Sequence, residues 1–177
     1  MKQIKGQVLG EAIVAMGLIT IGVLSMTGFL ARSISEGRSI ADQTIAANLA
    51  AEGVEITKNI LDGNALERFR LGDGTRAWNE GFTTQGFFEV DFRSMILGPQ
   101  VSAAEDRNVL RPLRIEQVGG VQFYSYTGGT ETTFRRSIEI RRGINDHHIR
   151  ATARVYWVAQ EGRPNQVTIS SDFYNWR

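Results

Sequence analysis

The chain has no cysteine and only 3 prolines in 177 residues. Without cysteine there is no disulfide framework, no thiol nucleophile and no thiolate metal site. An oxidising compartment stays open, because a domain with a sufficient core needs no covalent staple. Scarce proline argues against a Pro-rich linker or low-complexity tract. Net charge is also scarce. Lys plus Arg total 20 against 19 for Asp plus Glu, so there is no electrostatic reason to expect a nucleic-acid partner or an acidic substrate. The nucleotide-binding, serine-hydrolase and EF-hand signatures GxGxxG, Walker A, GxSxG and DxDxDG are missing. No internal repeat is visible, and the length suits one ordinary domain plus an accessory segment.

The distribution of polarity says more than the totals. Met1-Lys2-Gln3-Ile4-Lys5-Gly6 is short and basic. From Gln7 to Ala31 the only charged residue is Glu11, and Ala12–Ala31 carries neither charge nor proline. A helix of that length, rising ~1.5 Å per residue, crosses the ~30 Å hydrocarbon core of a bilayer. Lys2 and Lys5 favour a cytoplasmic N-terminus, with Arg32 and Arg38 on the far flank weighing against it. A secretory signal peptide would need a small residue where Phe29 stands before Leu30-Ala31, and a shorter apolar run. A plain anchor explains the run but not Glu11, since a carboxylate in an apolar helix is costly unless it is used.

The segment Lys5-Gly6-Gln7-Val8-Leu9-Gly10-Glu11, followed at once by the apolar run, resembles the cleavage and methylation site of type IV prepilins and type II secretion pseudopilins. The resemblance implies a leader over residues 1–6, removed by a prepilin peptidase after Gly6. It also implies an N-methylated Gln7 as the new N-terminus and Glu11 as the fifth mature residue. Gln7, where the family usually has Phe, and Gly10 beside the glutamate depart from the common pattern. The chemistry of the motif is coherent: an amine on Gln7 and a carboxylate on Glu11 lie one helical turn apart in apolar surroundings, where charges must be paired. If the amine of one subunit meets Glu11 of another, the pair fixes axial register, the best-attested use of a buried ion pair. The competing reading has Glu11 snorkel to the lipid headgroups.

Beyond the apolar run, residues 32–62 contain no proline. Ile34, Ile45, Leu49, Ile56 and Ile60 suggest an apolar stripe, and the alanines at 46, 47, 50 and 51 favour helix. Glu55 and Lys58, then Lys58 and Asp62, have the spacing of helix-face pairs. Gly63-Asn64 reads as a helix stop, so one helix is expected from about residue 8 to about residue 62. Glycines at 10, 17, 22 and 28 suit a membrane helix better than a soluble one.

Residues 63–112 read as loops with one or two short strands, Phe87–Phe92 among them. Leu113–Glu116 and Val121–Tyr126 flank Gly119-Gly120 as a hairpin. Period-two alternation follows. Ile138 and Ile140 alternate with Glu139 and Arg141. Gly143-Ile144-Asn145-Asp146 forms a turn. Ile149, Ala151, Ala153, Val155 and Trp157 share one face. Glu161-Gly162-Arg163-Pro164-Asn165 forms a second turn, and Val167, Ile169, Ser171 and Phe173 share the face of a third strand. The expected fold class is α+β, a long N-terminal helix whose second half packs on a C-terminal antiparallel sheet. This is also the order of parts in pilins. Ala46–Glu55, Arg150–Trp157 and Val167–Ser171 are similar to segments of minor pilins of the PilV or GspI type. The resemblance divides the chain into a leader (1–6), a transmembrane and assembly helix (7–31) and an extracytoplasmic pilin-like domain (32–177).

Other side chains read as ordinary surface. His147 and His148, adjacent in an extended segment, point to opposite faces and do not chelate one ion. Glu52 and Glu55 read as a solvated helix face. Arg135-Arg136 and Arg141-Arg142 read as exposed strand charge that discourages edge aggregation. No cofactor, metal site or catalytic constellation is expected. The functional expectation is a non-enzymatic filament subunit. It would sit first as a single-pass protein in membrane lipid and then among other pilin subunits in a pilus or pseudopilus. The alternative is a membrane-tethered extracytoplasmic ligand-binding domain that does not polymerise.

Overall fold

The computed structural model describes residues 4–72, 77–102, 108–143, 147–159 and 162–175, with side chains from Val8 onward. Met1–Gln3, Asp73, residues 144–146, Glu161 and Trp176 lie outside the described residues. The chain divides into two compact units, Met1–Ala41 and Asp42–Arg177.

One helix, α1, runs Ile4–Leu71. Every side chain from Val8 to Ala41 is exposed, Ile34 included, so Ile34 does not belong to the stripe in which it was expected. In the second unit, by contrast, burial recurs at Ala46, Leu49, Ala50, Gly53, Ile56, Thr57, Ile60, Leu61 and Asn64, the three- and four-residue spacing of one helix face. Gly53 is the point of closest approach: a Cβ there would lie 2.6 Å from Ile138 Cδ1 and 3.1 Å from Arg136 Cδ. The helix passes straight through the expected stop at Gly63-Asn64. Asn64 is buried and its Nδ2 donates to the carbonyls of Trp78 (3.2 Å) and Glu80 (2.8 Å). That side chain holds the 78–82 turn against a helix that has not ended. The stop is Gly72, at φ 68°, whose N–H donates to Arg68 O. A left-handed residue bonding back in this way closes the last turn, and Arg68 and Arg70 in that turn suit its negative pole.

Among the described residues seven strands form one antiparallel sheet: β1 Gly86–Phe88, β2 Gln100–Val101, β3 Pro112–Val118, β4 Val121–Ser125, β5 Thr130–Arg142, β6 His148–Val158 and β7 Pro164–Tyr174. The central strand is β5. Along one edge it pairs with β6, and β6 with β7. Its other edge is shared: β3 takes residues 130–135 and β1 takes 138–140. Strand β4 lies outside β3, and β2 outside β1. The Gly119-Gly120 hairpin is present as expected. Strand-like Phe87–Phe92 contributes only its first residues to β1, because Glu89 turns inward to bind Arg111 through both N–H (2.9 Å) and Nε (2.6 Å). The second turn closes earlier in the chain than expected. Ala159 N–H donates to Arg163 O, and Pro164 and Asn165 already pair with Val158 and Trp157.

The alternation in β6 is borne out. Ile149, Ala151, Ala153 and Val155 are completely buried, and Trp157 nearly so. They meet Ile138, Ile140 and Phe134 of β5 and the buried face of α1 in one core. Phe134 and Trp157 stand opposite with centroids 6.3 Å apart. In β7, Val167, Ile169, Ser171 and Phe173 point the same way but are only half-buried. The fold class is therefore α+β, with a helix laid on an antiparallel sheet.

Candidate assembly site

Gly6 and Gln7 lie in the first turns of α1, and Glu11 stands on the same helix with its side chain exposed. Around Glu11 the surface is apolar: Val8, Leu9, Ile13, Val14 and Leu18 are each more than half exposed. The apolar run contains three hydroxyl side chains, and each bonds within its own helix. Thr20 Oγ1 donates to Met16 O and Ser25 Oγ to Ile21 O, both at 2.8 Å, while Thr27 Oγ1 reaches Leu24 O at 2.9 Å. Back-bonding of this kind satisfies a hydroxyl without water, which an apolar medium demands. The helix is long and apolar enough to cross a membrane.

In the second unit several ionisable groups form structural networks, and two of these differ from the sequence reading. Arg136 was expected on the surface. It is instead completely buried, because it shares the core-facing phase of Phe134, Ile138 and Ile140. Its Nη1 donates to Leu49 O (2.9 Å) and lies 3.3 Å from Glu52 Oε1, and its Nη2 donates to Val90 O (2.6 Å). Glu52 is thus an ion-pair partner and not simply a solvated carboxylate, whereas Glu55 is exposed and pairs with Lys58 at 3.5 Å. Arg136 ties helix, loop and strand where β5 passes from β3 to β1. Its carbonyl accepts a bond from Tyr126 Oη at 3.0 Å, and burial pushes the Tyr126 phenol up to about 12.

The second difference is His148. His148 begins β6 with Nε2 2.6 Å from Asp172 Oδ1 and its ring stacked on Tyr174, and so is not simply an exposed turn residue. Arg150 grips both oxygens of Asp172, at 2.8 and 2.9 Å. Those bonds, Arg150 first and His148 second, hold the Asp172 carboxyl down at about 2. On the same face Glu139 is buried, which alone would raise its pKa, yet bonds from Arg141 and Arg154 bring it below the ordinary range. The phase of β5, counted from Ile138, was the signal that placed Arg136 inside. No local signal marked the Glu89–Arg111 pair.

Comparison with protein-family models, with curated proteins and with solved structures gives no match for this chain.

Proposed function

We propose that the chain is a minor pilin or pseudopilin, a non-enzymatic subunit of a type IV pilus-like or type II secretion-like filament. In this reading a prepilin peptidase cuts between Gly6 and Gln7. The protein waits in the cytoplasmic membrane with its sheet domain outside, and then joins other pilin subunits through α1. The observation that carries the reading is one helix with two surfaces: an entirely exposed apolar stretch bearing Glu11 near its start, and a second half packed on an antiparallel sheet. An exposed apolar face of that extent needs an external cover, which lipid supplies before assembly and neighbouring helices supply afterwards. Glu11 neutralises the Gln7 amine of an adjacent subunit and sets register.

The test is Glu11→Ala, with the subunit quantified in sheared filaments and in membranes. Cleavage and membrane insertion are expected to be unchanged, because Gly6 and the apolar run are untouched. Incorporation should fall by roughly tenfold or more, since an unpaired buried amine costs several kcal/mol, and Glu11→Asp should fall between. Incorporation of Glu11→Ala at the wild-type ratio would overturn the registry role. Native protein that retains Met1 would overturn the processing step.

A further inference from the structure

A cleft of about 610 Å³ opens in the second unit, between the last turns of α1 and the end of β7. That volume falls in the range of roughly 300–1,000 Å³ common to small-molecule sites. Its floor is apolar: Leu61 and Ala65 on the helix, Trp78 on the turn that Asn64 holds, and Phe173 on β7. Lys58, Asp62 and Asp172 bring charge to it. Two of the three are matched already. Lys58 pairs with Glu55 at 3.5 Å, and Asp172 is held by Arg150 and His148. Asp62 is different: among the described residues its carboxylate takes no hydrogen bond and no ion pair. The cleft therefore carries one uncompensated negative charge. The end of β7 adds neutral acceptors. Asn175 N–H donates to His147 O, which fixes the phase of the ladder. Phe173 turns its backbone polar groups toward β6, whereas Asp172 and Tyr174, both lining the cleft, turn theirs away from it.

We propose that this cleft binds a small organic cation, a primary ammonium carried on an aromatic body. Charge selects the cation. An anion would meet Asp62 unscreened, and the one lysine of the lining is taken by Glu55. The rings of Trp78, Phe173 and Tyr174 favour the same choice, since aromatic faces attract cations and cover apolar bodies. The number of donors selects a primary amine. Its three N–H groups can reach the Asp62 carboxylate and the outward carbonyls at the end of β7 together, which a quaternary ammonium cannot do. A charge-assisted bond to Asp62 fixes the head, and the apolar floor takes the body. Every wall of the cleft belongs to Asp42–Arg177, so the site is independent of the filament reading and stands or falls apart from it.

The probe is phenethylamine, titrated at neutral pH into the full chain held in a nonionic detergent, with side-chain resonances as the readout. Those of Trp78 and Phe173 should move together and saturate with one dissociation constant. Phenethyl alcohol keeps the body and loses the charge, and should bind roughly tenfold more weakly. Hydrocinnamate, which reverses the charge, should not saturate. Asp62→Asn should weaken the amine roughly tenfold. Lys58→Met removes the neighbouring cation and should tighten it about two- to threefold. Opposite signs at two positions one helical turn apart mark electrostatics, because a damaged fold would weaken binding in both variants. Equal affinity for amine and alcohol would overturn the site. So would Asp62→Asn without effect, the same sign of change in both variants, or resonances of Trp78 that never saturate.

Discussion

Leu18 and Leu49 sit on the same helix, yet Leu18 is 67% exposed and Leu49 only 2%. Around Leu18 apolar side chains cover every side of α1. Around Leu49 they keep to one stripe, with Glu55 and Lys58 on the other. Helical structure is common to both regions, so it cannot be what distinguishes them. The difference is where each finds its apolar partner. The stripe finds it in the sheet, within the chain. The all-round surface has no such cover among the described residues, and in the proposed function lipid or neighbouring helices supply it.

Five substitutions probe that contrast. The largest effect is expected from Leu49→Ala, which should destabilise the sheet domain by about 2–5 kcal/mol in denaturant unfolding. Leu18→Ala should leave the same transition within about 0.5 kcal/mol of wild type. Equal losses at both sites would mean that the first half of the helix also has an internal partner. Arg136→Met comes next. It removes the donor to Val90 O and Leu49 O but keeps most of the buried volume, for an expected loss of about 1–3 kcal/mol. Glu52→Gln, at a partly exposed partner, should cost about 1 kcal/mol or less, and a double-mutant cycle would separate the ion pair from the carbonyl bonds. The smallest effect belongs to Asp172. Its carboxyl is held below its ordinary 3.8, at about 2, so the stability it adds is complete above 3.8 and is lost as pH falls toward 2. Glu139 is depressed in the same direction. The thermal midpoint should drop over that acid range, and Asp172→Asn should flatten part of the drop without removing it.

Much of this architecture is legible in the sequence because it follows from local periodicity. The alternation from Ile149 to Trp157 names the buried face of β6, and Gly119-Gly120 marks a hairpin. What the sequence conceals is set by distant contacts. Gly63 faces open space, so nothing local carries the helix past it; the bonds from Asn64 to the 78–82 turn do. β1 and β2 are too short to show a period; β5 offers β1 its edge, and β1 offers one to β2. Arg136 was misjudged by composition, as half of an arginine pair, although its alternation with Ile138 and Ile140 already placed it inside. At the candidate site the reverse holds. Gly6, Gln7 and Glu11 stand out in the sequence by motif. The structure adds the exposed apolar surface around Glu11 and the internally bonded hydroxyls of Thr20, Ser25 and Thr27.

The bonds of Arg136 also set an order of events. They join residues 87 and 46 positions apart in the chain, whereas β5, β6 and β7 pair as consecutive neighbours. Contacts so distant in sequence form late, after local hairpins have closed. In a chain made from its N-terminus, the stripe from Ala46 to Leu61 emerges well before the strands that will cover it. Until β6 is in place this half of the helix is as sticky as the first half. The newborn protein therefore passes through an interval in which that helix face is uncovered and open to any apolar surface that reaches it before its own sheet does.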